Sequence, residues 1–155
     1  MNALDRLLAI EEIRLLKARY CRCCDSKDWD GFESLFAPDA IYDLRGADRV
    51  AGDNAAGSHF GESAYQVGAA NIGARVRTVG PHFRSVHHCH TAEIDILSDI
   101  EATGIWAFED RLVWPDGGPY RSLHGFGHYR ETYEKIGGAW KIKALKVTRL
   151  RVDLT

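Results

Sequence analysis

At 155 residues, 45% apolar and 27% charged, the chain has the composition of one soluble globular domain spanning 1–155, with material for a real core. Its twenty basic and twenty-two acidic residues leave a net charge of -2, without the basic excess of a nucleic-acid binder. No apolar run approaches the ~20 residues of a membrane span, and the charged start MNALDRLLAIEEIRLLKARY is unlike a signal peptide, so the cytoplasm is the expected compartment.

Residues 3–24 read as one long helix. Leu4, Leu7, Leu8, Ile13, Leu16, Tyr20, Cys23 and Cys24 recur at helical spacing, and Glu11, Glu12, Arg14 and Lys17 fill the opposite face. Asp25 to Asp28 reads as a break with a cap, and Asp28 starts a short second helix, WDGFESLF, ended by Pro38-Asp39. AIYDL, residues 40–44, reads as a strand. Gly46 to Gly61 reads as a loop. A third helix over 63–79 is interrupted by Gly68 and Gly73.

The second half changes to strand character at 83–97, 101–114, 120–134 and 140–153. Ser98-Asp99, Pro115 to Pro119 and Gly137-Gly138 are the turns between them. Helices first and an antiparallel meander after give an α+β fold, with the N-terminal helices packed on a strongly curved sheet. Such a cone holds a small hydrophobic molecule, with Tyr20, Tyr42, Trp106, Phe108 and Phe126 as candidate lining.

The stretch FRSVHHCHTAEIDI, residues 83–96, starts like a site and ends like a strand. It holds His87, His88 and His90, and histidine is the side chain suited to carrying protons near neutrality. Simple alternation puts His88 and His90 on the face of Ile94 and Ile96. One β-bulge between 87 and 92 reverses this and turns His87 inward. Pattern alone leaves both readings open. His124 and His128 share a face on a later strand, and one of them is a candidate for the pocket. Four cysteines, three of them in CRCC, fit a reducing compartment better than a disulfide framework. CRCC also lacks the paired spacing of a zinc site, so no metal is expected.

The segments IEEIRLLKARYCRCCDSKDWDGFESLFAPD, HHCHTAEIDI, ATGIWAFEDRLVWPDG and YEKIGGAWKIK carry a resemblance to a known family. The chain resembles the SnoaL-like branch of the nuclear transport factor 2 (NTF2)-like superfamily, and within it the bile acid 7α-dehydratases and, more distantly, the scytalone dehydratases. The resemblance implies a cone-shaped domain and a cofactor-independent lyase. It implies Tyr20, Asp25 and His87 as catalytic residues, with His90 as the second histidine of that motif and Arg149 as a matching arginine of the last strand. His124 stands where the bile acid enzymes hold asparagine. The resemblance also implies a homo-oligomer, trimer before dimer.

Read together, these residues predict proton abstraction beside a carbonyl of an aromatic, polyketide or steroid-like molecule. His87 is the base, Asp25 orients it, and Tyr20 donates to the developing oxyanion. Dehydration is the first reading. Isomerisation, cyclisation or retro-aldol cleavage shares the same first step, and a non-catalytic binding module uses the same pocket.

Overall fold

In the computed structural model, which describes residues 1–50 and 58–155, the chain opens on helix α1 (Ala3–Ser26). Asn2 and Asp5 exchange side-chain to backbone bonds in a capping box that fixes its start. Lys27, in the left-handed conformation at φ 63°, ends it. Asp28 then caps the one-turn helix α2 (Trp29–Glu33) by accepting from the Gly31 amide at 3.0 Å.

The buried stripe of α1 is Ala9, Ile13, Leu16, Lys17, Tyr20, Cys23 and Cys24. Leu4, Leu7 and Leu8, expected to share it, are exposed. From Leu8 to Ile13 is five residues, a rotation of roughly 500°, so Leu8 stands about 140° from the stripe and Ala9 takes its place. Lys17 departs in the opposite sense: expected on the polar face, it is fully buried.

The sheet comprises β1 (Phe36–Asp43), β2 (Tyr65–Val67), β3 (Arg84–Ile96), β4 (Glu101–Val113), β5 (Ser122–Ile136) and β6 (Ala139–Leu154), in the order β2-β1-β6-β5-β4-β3. β3 to β6 form the expected antiparallel meander. The sheet as a whole is mixed, because β1 runs parallel to β6. The register of β1 breaks between Phe36 and Ile41, around Pro38, which has no amide to give a ladder. Pro38 therefore lies inside a strand rather than ending a helix.

The expected helix over 63–79 divides into a short 3-10 turn, β2 and α3 (Ala69–Val79). Gly68, at φ 92°, makes the bend that separates β2 from α3. Residues 46–50 and 58–61 are the described part of the expected loop and form no helix or strand; its portion at 51–57 lies outside the described residues. No helix of the described chain is long and apolar enough to cross a membrane.

The core sits between α1, α2 and the inner face of the sheet. Tyr20, Phe32, Phe36, Tyr42, Phe108 and Tyr129 pack there ring against ring, with Phe108 and Tyr129 stacked at 3.9 Å. A second cluster of Leu112, Trp114 and Leu123 closes the other end. Trp114 and Trp140 are both buried.

Candidate active site

β3 reaches the site through an irregularity. Cys89 faces Phe108 and Ala92 faces Trp106, so His90 and Thr91 stand against the single residue Ala107. This is the bulge that alternation alone left open. On its two sides Ser85, His87 and Cys89, then Ala92, Ile94 and Ile96, turn inward, while His88 and His90 are exposed. The resemblance placed His87 inside, and there the structure has it.

Asp25, on the last turn of α1, binds β3 three times. It accepts from the His87 amide at 2.8 Å, pairs with His87 Nδ1 at 2.6 Å and accepts from Ser85 Oγ at 2.9 Å. Burial alone would raise this carboxyl. The hydrogen bonds and charge of His87, with Ser85, outweigh it and hold Asp25 below the usual carboxylate value. With Nδ1–H given to Asp25, the lone pair of the neutral imidazole is on Nε2. That nitrogen lies 4.0 Å from Asp110 Oδ2.

Asp110 is itself held by Arg149, Nη1 at 2.7 Å and Nη2 at 2.9 Å, a two-pronged pair buried on both sides. Arg149 Nε donates to the Ala47 carbonyl at 2.7 Å, and its guanidinium lies 4.9 Å from the Phe108 ring centre. Arg149 is therefore an interior residue that holds Asp110 in place. Gly125 and Gly127 of β5 make the room: a Cβ at 125 would meet Arg149 Nη1 at 2.4 Å and Asp110 Oδ1 at 2.6 Å.

Tyr20 is buried, and its hydroxyl meets that of Tyr42 at 3.3 Å rather than the Asp25–His87 pair. Burial, first, and the neighbouring Tyr129 and Tyr42 push its phenol well above the ordinary value, so it keeps its proton. Tyr20, Tyr42 and Phe108 fill the interior, and the open space lies beside it. A cleft of about 780 Å³ runs between α1 and β3, bordered by Lys17, Cys21, His87, Cys89 and Trp106, with His88 and His90 at its exposed rim. The volume suits a small organic ligand.

Two expected lining residues lie elsewhere. His124 and Phe126 are cross-strand partners of Arg111 and Glu109, on the outer face of β4 and β5. There His124 Nε2 pairs with Glu109 Oε2 at 3.0 Å. They belong to the face opposite Asp110 because side chains of a strand alternate.

The sequence reading missed four groups: Lys17, Ser85, Cys89 and Asp110. Asp110 had a signal, since it is in phase with the inward residues Ala102, Trp106 and Phe108. Cys24, Asp25 and His87 bring three possible metal-ligand atoms within 4.8 Å of one another. They do not suit a cation: Asp25 is engaged by Ser85 and His87, and burial pushes the Cys24 thiol up to about 12.

A probable cyclase, FGR4, of Gibberella zeae is 28% identical over 143 residues, 89% of each chain. Among solved structures, a candidate scytalone dehydratase from Novosphingobium aromaticivorans superposes with a TM-score of 0.77 at 18% identity, covering 98% of this chain and 91% of that one. The hexachlorocyclohexane dehydrochlorinase LinA-type3 of Novosphingobium barchaimii does so with a TM-score of 0.75 at 18% identity, covering 99% and 94%. At such identities the structures show a shared fold: helices over a curved sheet, the NTF2-like cone. Residues 5–146 match the SnoaL-like domain model, and the chain belongs to that family.

Proposed function

We propose that this protein is a lyase of the acid–base type, working without a cofactor, and that its reaction is the dehydration of a small hydrophobic carbonyl compound. The observation that carries the reading is the Asp25–His87 pair, joined through Nδ1 and set at a cleft that His87 borders. His87 takes the acidic proton beside, or vinylogous to, the carbonyl. Asp25 fixes the tautomer and stabilises the imidazolium that results. Tyr20, kept protonated by burial and bonded to Tyr42, packs behind the pair rather than on the cleft, so the His87 imidazolium itself returns the proton to the departing hydroxyl. Asp110, held by Arg149, places a carboxylate 4.0 Å from Nε2. The relatives' names, a dehydratase and a dehydrochlorinase, support elimination as the reaction type.

The curated relative named a cyclase supports a second reading, in which the same enolate closes a ring or moves a double bond. A panel of β-hydroxy and vinylogous carbonyl compounds incubated in D₂O separates the two. Dehydration removes about 18 Da, whereas cyclisation or isomerisation leaves the mass unchanged apart from exchanged deuterium; proton abstraction at carbon is common to both. His87→Ala and Asp25→Asn are expected to slow product formation by ~10²–10⁴ with the fold intact. Near-normal rates in both variants, or recovery of every compound unchanged and undeuterated, would reduce the cleft to a binding site.

A further inference from the structure

We propose that Cys21 and Cys89 are a modification site: they form a reversible disulfide that fastens α1 to β3 and closes the cleft over His87. This goes beyond the lyase reading and does not rest on it. Cys21 lies on the inner side of α1, and Cys89 is the last inward residue of β3 before the bulge. Their sulfurs are 3.6 Å apart, and both border the cleft. A disulfide requires about 2.0 Å, so the two elements need to approach by roughly 1.5 Å. These are the elements that carry the reactive pair. Asp25 is one turn beyond Cys21, and His87 is two residues before Cys89.

The other cysteines are placed differently. Cys23 donates to Asp28 Oδ2 at 3.5 Å, and Cys24 is buried. At the proposed site the roles divide between the partners. Either sulfur can donate in the bond between them; with Cys89 as donor, that bond lowers Cys21 to about 7, burial opposes this, and the charge of Lys17 assists. The same bond, with burial, raises Cys89, which keeps its proton. Cys21 is therefore the thiolate and Cys89 the resolving thiol.

A peroxide is the oxidant. The Cys21 thiolate attacks one peroxide oxygen, the O–O bond breaks, and Cys21 becomes a sulfenic acid. The second oxygen leaves as hydroxide or alkoxide and takes a proton from solvent. Cys89 then attacks the Cys21 sulfur and releases its own proton. The S–O bond breaks, and hydroxide leaves with that proton as water. The two thiols lose two electrons, and the peroxide gains them. A dithiol reverses the step by exchange.

The full chain is treated with hydrogen peroxide, its free thiols are alkylated, and the peptides are mapped by mass. In parallel, acylation of each histidine by diethyl pyrocarbonate is followed peptide by peptide. The expected result is a loss of about 2 Da at a Cys21–Cys89 linked peptide, fully restored by dithiothreitol. In the oxidised protein His87 should react at least about tenfold more slowly, as a site that must reopen to be reached, while outward His88 is unchanged. Cys21→Ser and Cys89→Ser should each abolish the link and the slowing. Sulfinic acid at either cysteine without a link, or a link through Cys24, overturns the proposal. So does a linked protein whose His87 reacts as before. Neither readout uses turnover, so failure of the lyase reading would leave this test standing.

Discussion

Two polar pairs lie on the inner side of α1, one buried and one half-buried, and they are finished differently. Lys17 Nζ meets Glu131 Oε1 at 2.5 Å, with side-chain exposures of 1% and 0%. The ammonium also lies over the rings of Tyr129 and Tyr20, at 3.4 and 4.0 Å. The other oxygen of Glu131 accepts from Tyr133, whose hydroxyl accepts from Trp106 Nε1 at 2.7 Å. Every strong donor and acceptor of that network has a partner. Asp25, two turns further along the same helix, and its β3 partner His87 keep 24% and 9% exposure, and His87 Nε2 has no hydrogen-bond partner among the described residues. A closed network specifies the core; an open one leaves a lone pair for chemistry.

The largest test of that contrast removes a partner from the closed side. Lys17→Ala leaves the Glu131 carboxylate buried beside Tyr133 with no cation, and should cost about 3–5 kcal/mol in urea unfolding. Lys17→Met with Glu131→Leu should recover most of the loss, since both charges go together. If the double variant were as unstable as the single, the pair would be holding more than its own charge. Less severe is a change beneath the Asp110–Arg149 pair. A Cβ at Gly127 would meet the Thr148 carbonyl oxygen at 2.0 Å, and backbone cannot swing aside. Gly127→Ala should therefore cost about 1–3 kcal/mol as overpacking. An unchanged melting temperature would mean that β5 and β6 slide apart freely there.

The open pair gives a test in pH. Asp25 is held below its ordinary value, so the folded state binds its proton less readily than the unfolded chain does. Its contribution is complete above the unfolded carboxylate value, about 4, and is lost as pH falls through the lower folded one. Asp25→Asn should flatten that acid limb of the stability curve. It should leave the Lys17–Glu131 network, and stability at neutral pH outside this pair, largely as they were. Parallel acid limbs in the two proteins would show that other carboxylates set it.

The contrast also explains what could be read before the structure. The long helix, the four-strand meander and its turns are written in local periodicities, which survive folding. The inward turn of His87 was legible through the HHCHTAEI motif but not through alternation, because the bulge at His90 and Thr91 shifts the phase by one residue. Lys17 was illegible. A lysine counts as polar in any helical wheel, and its justification, Glu131, lies 114 residues away. The parallel placement of β1 was hidden for the same reason: pairing with β6 is long-range, and Pro38 disguised the start of the strand. His124 and Phe126 were misplaced because aromatic and imidazole side chains read alike on either face of a strand. The neighbours at 125 and 127 carried the clue, for two glycines at period two mark the crowded side.

The smallest expected effect follows from that last point. His124 faces outward over Glu109, and its hydrogen bond, with that of His88, holds that carboxylate below its usual value on the surface. Solvent and salt screen such an exposed pair, so His124→Ala should leave the urea unfolding midpoint essentially unchanged. Because the backbone between His124 and Asp110 is unaltered by the truncation, turnover on any substrate that depends on His87 should stay within about twofold of the parent, whereas His87→Ala loses ~10² or more. The two variants carry the same chemical change on the two faces of one sheet. Equal losses in both would mean that substrate spans from the cleft to the outer face, and that the inner pair is only half of the site.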